Sequence, residues 1–136
     1  MSRFNHGMTL MLGLLAATVL VAPVSAADQP LFSKGDTFDE QTGAELFHGI
    51  CQGCHMGSGE GAAGAGAYPA LQNNPRIASS AYPIYMVANG QGGMPSFKDY
   101  LSDRQIAEVV NYVRTHFGNN YADTVSVEDV SKISLR

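Results

Sequence analysis

One pentapeptide, Cys51-Gln-Gly-Cys-His55, has side chains whose types and spacing fit haem attachment. Two thiols three residues apart at a helix end share a face, so Cys51 and Cys54 can both reach the vinyl groups on one edge of a porphyrin. His55 follows directly, and neutral imidazole is a good iron ligand. The pattern is that of c-type haem attachment, and the chain has no other cysteine. We therefore expect one covalently bound haem c, with His55 on the iron.

Three other roles for the same residues fit the sequence less well. A disulfide between Cys51 and Cys54 would close a very small loop and gain little loop entropy. A thioredoxin-like redox pair is expected beside a βαβ pattern, which the sequence does not show. A zinc ribbon needs a second pair of ligands, and the chain has two cysteines in all.

The N-terminal residues 1–26 have the features of a secretory signal peptide. Arg3 gives a short basic start, an apolar run follows over residues 8–24, and small residues precede a cleavage site after Ala26 or Ala27. The alternative is an uncleaved membrane anchor, but the run is short for a span of about 20 residues and ends near Pro23. We therefore expect an exported, periplasmic protein with one domain, residues 27–136.

Charge and hydropathy exclude two classes of partner. The whole chain has a formal charge of −4, and loss of Arg3 with the signal peptide leaves −5, so nucleic acid is not an expected partner. No later apolar run is long enough to span a bilayer, so no membrane span is expected after cleavage. A domain of this length buries only a modest core, to which a covalently held macrocycle would add apolar mass.

Helical periodicity predicts about three main helices. The first is expected at about 38–53, capped by Asp36 or Thr37, with Gly43 placed for close approach of another helix. A middle helix is expected at about 80–89, after a serine cap and before a left-handed turn at Gly90.

The last predicted helix has the clearest signals. Ser102 and Gln105 form a capping box, and Gly118 is the expected end. Its apolar stripe comprises Ile106, Val109, Val110, Val113 and Phe117. A polar tail from about 119 has too little apolar mass for its own core, so it is expected either to pack back or to meet a partner.

These landmarks, in this order, resemble class I cytochrome c over about residues 43–117. The motifs are Gly43-Ala-Glu-Leu-Phe47, the Cys51–His55 pentapeptide, Pro69-Ala-Leu71, Gly93-Met-Pro-Ser-Phe97 and a capped terminal helix with Tyr112. The resemblance implies an all-α class I cytochrome c fold, with helices around the haem. It implies that the Pro69 carbonyl accepts from the proximal imidazole, that Met94 is the distal ligand, and that Leu71 and Phe97 are further cofactor-binding residues.

The residues themselves leave more than one choice for the sixth ligand. Met56 and His48 lie too near the proximal ligand to reach the opposite haem face. Met94 lies in a glycine-rich segment that can approach the ring. Three alternatives remain: Met86, His116 and an open site. Met86 lies on a predicted helix, where methionine more often fills the core.

A narrower resemblance is to the haem domains in cytochrome subunits of periplasmic alcohol, aldehyde and sugar-acid dehydrogenases. It is carried by residues 84–95 and by the tail at 119–130. It implies electron transfer rather than enzymatic activity, from a periplasmic dehydrogenase toward a terminal oxidase or another cytochrome. The alternatives are a haem enzyme or gas sensor with an open or labile sixth site, and a thiol–disulfide oxidoreductase without haem.

Overall fold

The computed structural model describes residues 37–64 and 66–136. The predicted signal peptide, residues 1–26, lies outside them. Within the described residues, no helix is both long and apolar enough to cross a membrane.

The first helical stretch begins at Gly43, later than the sequence predicts. It consists of α1 (Gly43–Leu46), a π-helical turn (Phe47–Cys51) and α2 (Gln52–His55). The N-cap is Thr42, whose side chain accepts from the Glu45 backbone while the Glu45 carboxylate accepts from the Thr42 backbone. The prediction of a cap at Asp36 or Thr37 was wrong, because the capping box at Thr42 satisfies two otherwise unpaired donors there.

Six further elements follow this stretch among the described residues. In chain order they are β1 (Ala62–Ala63), β2 (Ala67–Tyr68), a 3₁₀ turn (Pro75–Ala78), α3 (Ala81–Asn89), α4 (Asp103–Thr115) and α5 (Val127–Ile133). The two short strands pair antiparallel, with Ala62 opposite Tyr68. The fold is mostly helical, and it confirms the all-α prediction.

The crossing of α1 and α4 depends on Gly43. A Cβ on Gly43 would lie 2.6 Å from the Tyr112 Cβ and would also collide with the Glu108 carbonyl. Real Cβ atoms do not approach other atoms so closely, so glycine is required for this helix contact. The predicted close approach at Gly43 is confirmed.

Helix α4 begins as predicted and ends earlier. Ser102 and Gln105 form the expected capping box. The helix ends at Thr115, three residues before Gly118, because His116 adopts an extended conformation and Thr115 Oγ1 bonds back to the Asn111 carbonyl at 2.8 Å. Gly118 has φ +78° and forms the turn that follows.

The tail from residue 119 packs back onto the domain and contains a helix that the sequence reasoning missed. Ser126 and Asp129 form a capping box at the start of α5, and Val130 is fully buried. Asn111 holds the approach to this helix, donating to the Val125 carbonyl at 3.0 Å and accepting from the Val125 N–H at 2.8 Å. Of the two outcomes expected for the tail, the structure shows that it packs back onto the domain.

Arg114 joins three parts of the fold from a fully buried position on α4. Its Nε donates to the Ile77 carbonyl at 3.0 Å, and one Nη donates to the Ala78 carbonyl at 3.0 Å and to Asp123 Oδ1 at 2.6 Å. These bonds fix the 3₁₀ turn and the start of the tail against α4. A buried charge is stable only when it is paired and hydrogen-bonded in this way.

Candidate haem site

His55 ends α2 with its side chain almost completely buried. Its Nδ1 lies 2.9 Å from the Pro69 carbonyl oxygen. A carbonyl can only accept a hydrogen bond, so Nδ1 carries the proton and donates. The neutral imidazole then has its lone pair on Nε2, the atom that can bind a metal.

A tight loop sets the position of Pro69. Gly61 donates to the His55 carbonyl at 3.0 Å, and Leu71 donates to the Gly59 carbonyl at 2.7 Å. Gly61 has φ +69°, and a Cβ there would lie 2.7 Å from the Ala70 nitrogen. Only glycine satisfies both the positive φ and the close approach. The residues after the Cys-x-x-Cys-His motif are thus built to bring Pro69 to His55.

The two cysteines differ in their surroundings. Cys51 is partly buried at the end of the π-helical turn, whereas Cys54 is exposed on α2. Burial, and to a smaller extent the neighbouring Cys54, raises the pKa of the Cys51 thiol to about 12. The π-helical turn rotates the residues after it relative to a continuous α-helix, which is a feature that often occurs at functional sites.

A cleft of about 290 Å³ opens beside His55. The residues that line it come from well-separated parts of the sequence: Cys51, His55, Pro69, Leu71, Asn74, Arg76, Ile77, Tyr82, Pro83, Met86, Val87, Gln91, Met94, Val109, Val110 and Val113. Most of these side chains are apolar, and a few polar groups lie among them. This composition is typical of cofactor sites.

Met94 lies on a tight turn that follows α3 and borders the cleft. Gln91 and Met94 exchange two backbone hydrogen bonds of 3.0 Å each, with Gly92 at φ +59° between them. Met94 also borders a smaller cavity, which is lined by Phe97. Phe97 and Met94 thus border one small cavity, and Phe97 is not among the residues that line the main cleft.

The cleft brings some of the candidate ligands together and leaves others outside. Met86 lines it together with Met94, so two thioethers face the same space as His55. His116 lies elsewhere: its ring stacks on Tyr112 at 4.0 Å between centroids, and both residues line a separate groove. His48 is exposed and bonds to Gln52 Oε1 at 3.1 Å.

Sequence reasoning missed several residues that line the cleft. Val109, Val110 and Val113 were identified only as the apolar stripe of a core helix, yet they form one wall of the cleft. Arg76 was not considered, and it is the one Lys or Arg among the described cleft-lining residues. Its place follows from the 3₁₀ turn, for which Asn74 supplies the cap by accepting from the Arg76 N–H at 2.9 Å. The asparagine–proline pair at the start of this turn was the available signal.

The residues present fit a haem c. The Cys51 thiol, an imidazole with Nε2 as acceptor and a thioether border one largely apolar cleft, and the exposed Cys54 lies on α2 one residue before His55. Among the described residues, no group of three or more His, Cys, Asp or Glu side chains forms a competing metal site. A mostly helical fold around such a cleft defines a c-type cytochrome domain.

Comparison with known families agrees with this class. The family described as cytochrome c oxidase, cbb3-type, subunit III matches residues 38–113. The match covers more than half of the chain, so the chain belongs to this family of class I c-type cytochromes. Its cofactor is covalently bound haem c.

The relatives include cytochromes of two kinds. The cytochrome c subunit of alcohol dehydrogenase (quinone) from Gluconobacter oxydans is 34% identical over 104 residues, which cover 67% of this chain and 21% of the relative. The gluconate 2-dehydrogenase cytochrome c subunit of Pantoea cypripedii is 34% identical over 115 residues, covering 74% of this chain and 25% of the relative. The chain thus spans about a fifth to a quarter of the length of these subunits.

A relative of the second kind is close to this chain in size. Cytochrome c6 of Picosynechococcus is 33% identical over 114 residues, covering 78% of this chain and 93% of the relative. The chain is an electron-transfer cytochrome c, related both to dehydrogenase cytochrome subunits and to cytochrome c6.

Proposed function

We propose that this cytochrome carries single electrons from a periplasmic dehydrogenase toward a respiratory acceptor, with His55 and Met94 as the axial ligands of its haem. Cys51 and Cys54 form the thioether bonds. The observation that supports the proposal most directly is that His55, held by Pro69, and Met94 line the same cleft.

The chain's own residues determine how the site works. Haem c supplies a one-electron Fe(III)/Fe(II) couple when bound. His55 offers Nε2, and its hydrogen bond to Pro69 keeps the ring in one orientation and increases the basicity of the ligand. Met94 offers a thioether, a ligand that raises the reduction potential. When both axial positions are filled, no site remains for a substrate, which favours electron transfer over catalysis.

Met94 is favoured over Met86 by its place in the chain. Met86 lies on α3, within a helix whose backbone is fixed along its length. Met94 lies on a four-residue turn with glycines at its two central positions, so its backbone can approach a planar ring closely.

The surface beside the cleft suits an apolar docking contact. Gly92, Gly93 and Pro95 are exposed next to Met94, and Tyr82 is 37% exposed at the cleft. No acidic side chain lines the cleft in the part of the chain that the structure describes. Encounters in electron transfer are small and transient, and we expect this rim to make the contact.

The partner is proposed from the relatives' names and from the predicted export. Two of them are subunits of alcohol and gluconate dehydrogenases, and a dehydrogenase of this kind is the proposed electron donor. A terminal oxidase or another cytochrome is the proposed acceptor. The tail is integral to the fold, so a deletion after Gly118 would remove core residues such as Val125 and Val130, and the contact must be tested with surface variants.

The proposed ligation is tested with a matched pair of variants. Met94→Ala is expected to lower the reduction potential and to remove the far-red absorption band of thioether-bound ferric haem. Met86→Ala removes a thioether from the same cleft and is expected to keep the wild-type reduction potential and the far-red band. The reverse pattern would assign the sixth ligand to Met86, and wild-type behaviour of both variants would refute methionine ligation.

The docking proposal is tested by the kinetics of reduction by the dehydrogenase as ionic strength increases. A mostly apolar contact predicts a weak dependence on salt. Pro95→Glu is expected to slow reduction, whereas Ala122→Glu, at an exposed position outside the cleft, is expected to leave it unchanged. A steep fall in rate with salt would contradict the apolar rim.

A further inference from the structure

The turn that carries Met94 is held tightly between two fixed ends. Gly90 precedes it with φ +71°, and a Cβ there would lie 2.6 Å from the Met94 carbonyl oxygen. After the turn, Phe97 and Lys98 donate backbone hydrogen bonds to the carbonyls of Val87 and Ala88, each at 3.1 Å. The segment 90–98 is therefore a loop that leaves the end of α3 and returns along it.

The C-terminal residues contact both ends of this loop. At the start, Asn89 Nδ2 donates to the Ile133 carbonyl at 3.2 Å. At the end, Lys98 Nζ donates to the Leu135 carbonyl at 3.1 Å. Residues only two positions apart thus hold the beginning and the end of the loop.

Arg136 extends the contact into the next helix. Its guanidinium donates to the Lys98 carbonyl, to the Leu101 carbonyl at 2.8 Å and to Asp103 Oδ1 at 2.8 Å. Its side chain is 37% exposed and that of Asp103 is 22% exposed, so the ion pair is only partly open to solvent. One side chain therefore ties the end of the loop to the start of α4.

Helix α5 gives these contacts a rigid base. Val130 and Ser134 are fully buried, and α5 packs against both α3 and α4. The loop ends are consequently bound to a packed element, whereas a free chain end would hold them only weakly.

We propose that residues 127–136 form a clamp that positions Met94, with Asn89, Lys98 and Arg136 as positioning residues. The proposal rests on ligation by Met94. A thioether is a weak axial ligand, so its occupancy depends on how often the loop that carries it opens. Local opening has its own free energy, which the contacts at the loop ends determine. The clamp thus keeps small ligands out of the sixth position.

The test measures the affinity of the ferric holoprotein for imidazole, a probe that competes with the thioether. A ligand that requires the open loop binds in proportion to the open fraction. Arg136→Gln, which loses charge-assisted hydrogen bonds, is expected to bind imidazole about tenfold more tightly or more. Asn89→Ala, which loses one neutral hydrogen bond, is expected to bind it severalfold to about tenfold more tightly. Both variants should also show a weaker far-red band.

A control variant separates the clamp from general effects. Arg104→Gln removes an exposed arginine from the same helix start, outside the clamp. It is expected to bind imidazole as the wild type does. If Arg136→Gln fails to fold, Lys98→Met, which breaks one bond at the exposed loop end, serves in its place.

The outcomes distinguish the clamp from the ligation on which it rests. In one outcome, Met94→Ala binds imidazole tightly, whereas Asn89→Ala and Arg136→Gln bind it as the wild type does and unfold at lower urea concentrations. The C-terminal residues then only stabilise the fold, and the clamp is refuted. If Met94→Ala itself leaves imidazole affinity and the far-red band unchanged, ligation by Met94 fails, and the clamp fails with it.

Discussion

The Nδ1 atom of His55 donates a hydrogen bond to the carbonyl oxygen of Pro69, 14 residues further along the chain, over 2.9 Å. This bond fixes the tautomer of the imidazole and leaves Nε2 free for the proposed bond to iron. It depends on a loop whose backbone passes very close to itself at Gly61. The properties of the proposed proximal ligand are thus set by residues in the loop after it.

The first prediction concerns this loop. Gly61→Ala forces a side chain into φ +69° and against the Ala70 nitrogen, so we expect the free energy of unfolding to fall by roughly 1–3 kcal/mol. We also expect the reduction potential to rise, because a weakened bond from His55 to Pro69 makes the imidazole less basic.

Gly64→Ala is the matched control in the same loop. A Cβ on Gly64 would have no atom within 4 Å, so a change within about 0.5 kcal/mol is expected. Urea unfolding and redox titration of both holoproteins make the comparison. Equal stability of the two variants would show that the close approach at Gly61 is not needed.

The second prediction concerns the crossing of α1 and α4. Gly43→Ala places a methyl group against Tyr112 and the Glu108 carbonyl, and overpacking of this kind costs roughly 1–3 kcal/mol. Gly49→Ala is the control, because its Cβ would meet only the Glu40 carboxylate, the movable end of a side chain, at 3.0 Å. Urea midpoints that fall equally in both variants would contradict a helix contact that requires glycine.

Gly43 and Gly61 show which structural requirements can be predicted from the sequence. Gly43 was recognised because a glycine inside a helical pattern has a local cost that calls for a reason, and the close crossing supplies it. The haem c cofactor and the Ser102 capping box were also predicted correctly, since each rests on a short-range signal. Gly61 was missed, because its requirement comes from Pro69 and Ala70, whose position depends on the whole loop.

The wrong start of the first helix, the missed helix α5 and the missed cleft residues also have physical causes. The first helix begins at Gly43, after the Thr42 cap, because Thr42 and Glu45 form a capping box there. Helix α5 has its own capping box at Ser126, but seven residues are too few for a clear period, and its stability comes from packing on α3 and α4. Which valines of α4 line the cleft is likewise decided only by tertiary packing.

The third prediction concerns acid stability. Hydrogen bonds from Arg114, and to a lesser extent its charge, hold the pKa of Asp123 below its usual value of 3.8. A carboxylate with a lowered folded-state pKa stabilises the protein above its unfolded pKa, and this contribution is lost as pH falls through the lower folded value. We therefore expect stability to decline below about pH 4.

Asp123→Asn tests the source of that decline. The variant is expected to be less stable than the wild type at pH 7 and to lose less stability between pH 5 and pH 2. Asp99→Asn, at an exposed carboxylate outside the two ion pairs that the described residues form, should keep the wild-type slope. Urea midpoints across this pH range provide the measurement, and an unchanged slope in Asp123→Asn would exclude the pair with Arg114 as a cause.

In the proposed holoprotein, two side chains of this chain, His55 and Met94, fill both axial positions of the haem. The visible spectrum of the reduced holoprotein with and without carbon monoxide tests this ligation. We expect no rapid spectral change in the wild type or in Met86→Ala, and prompt carbon monoxide binding in Met94→Ala. Prompt binding by the wild type would contradict it, because the sixth position would then be open to small ligands and the protein would be suited to catalysis or gas sensing.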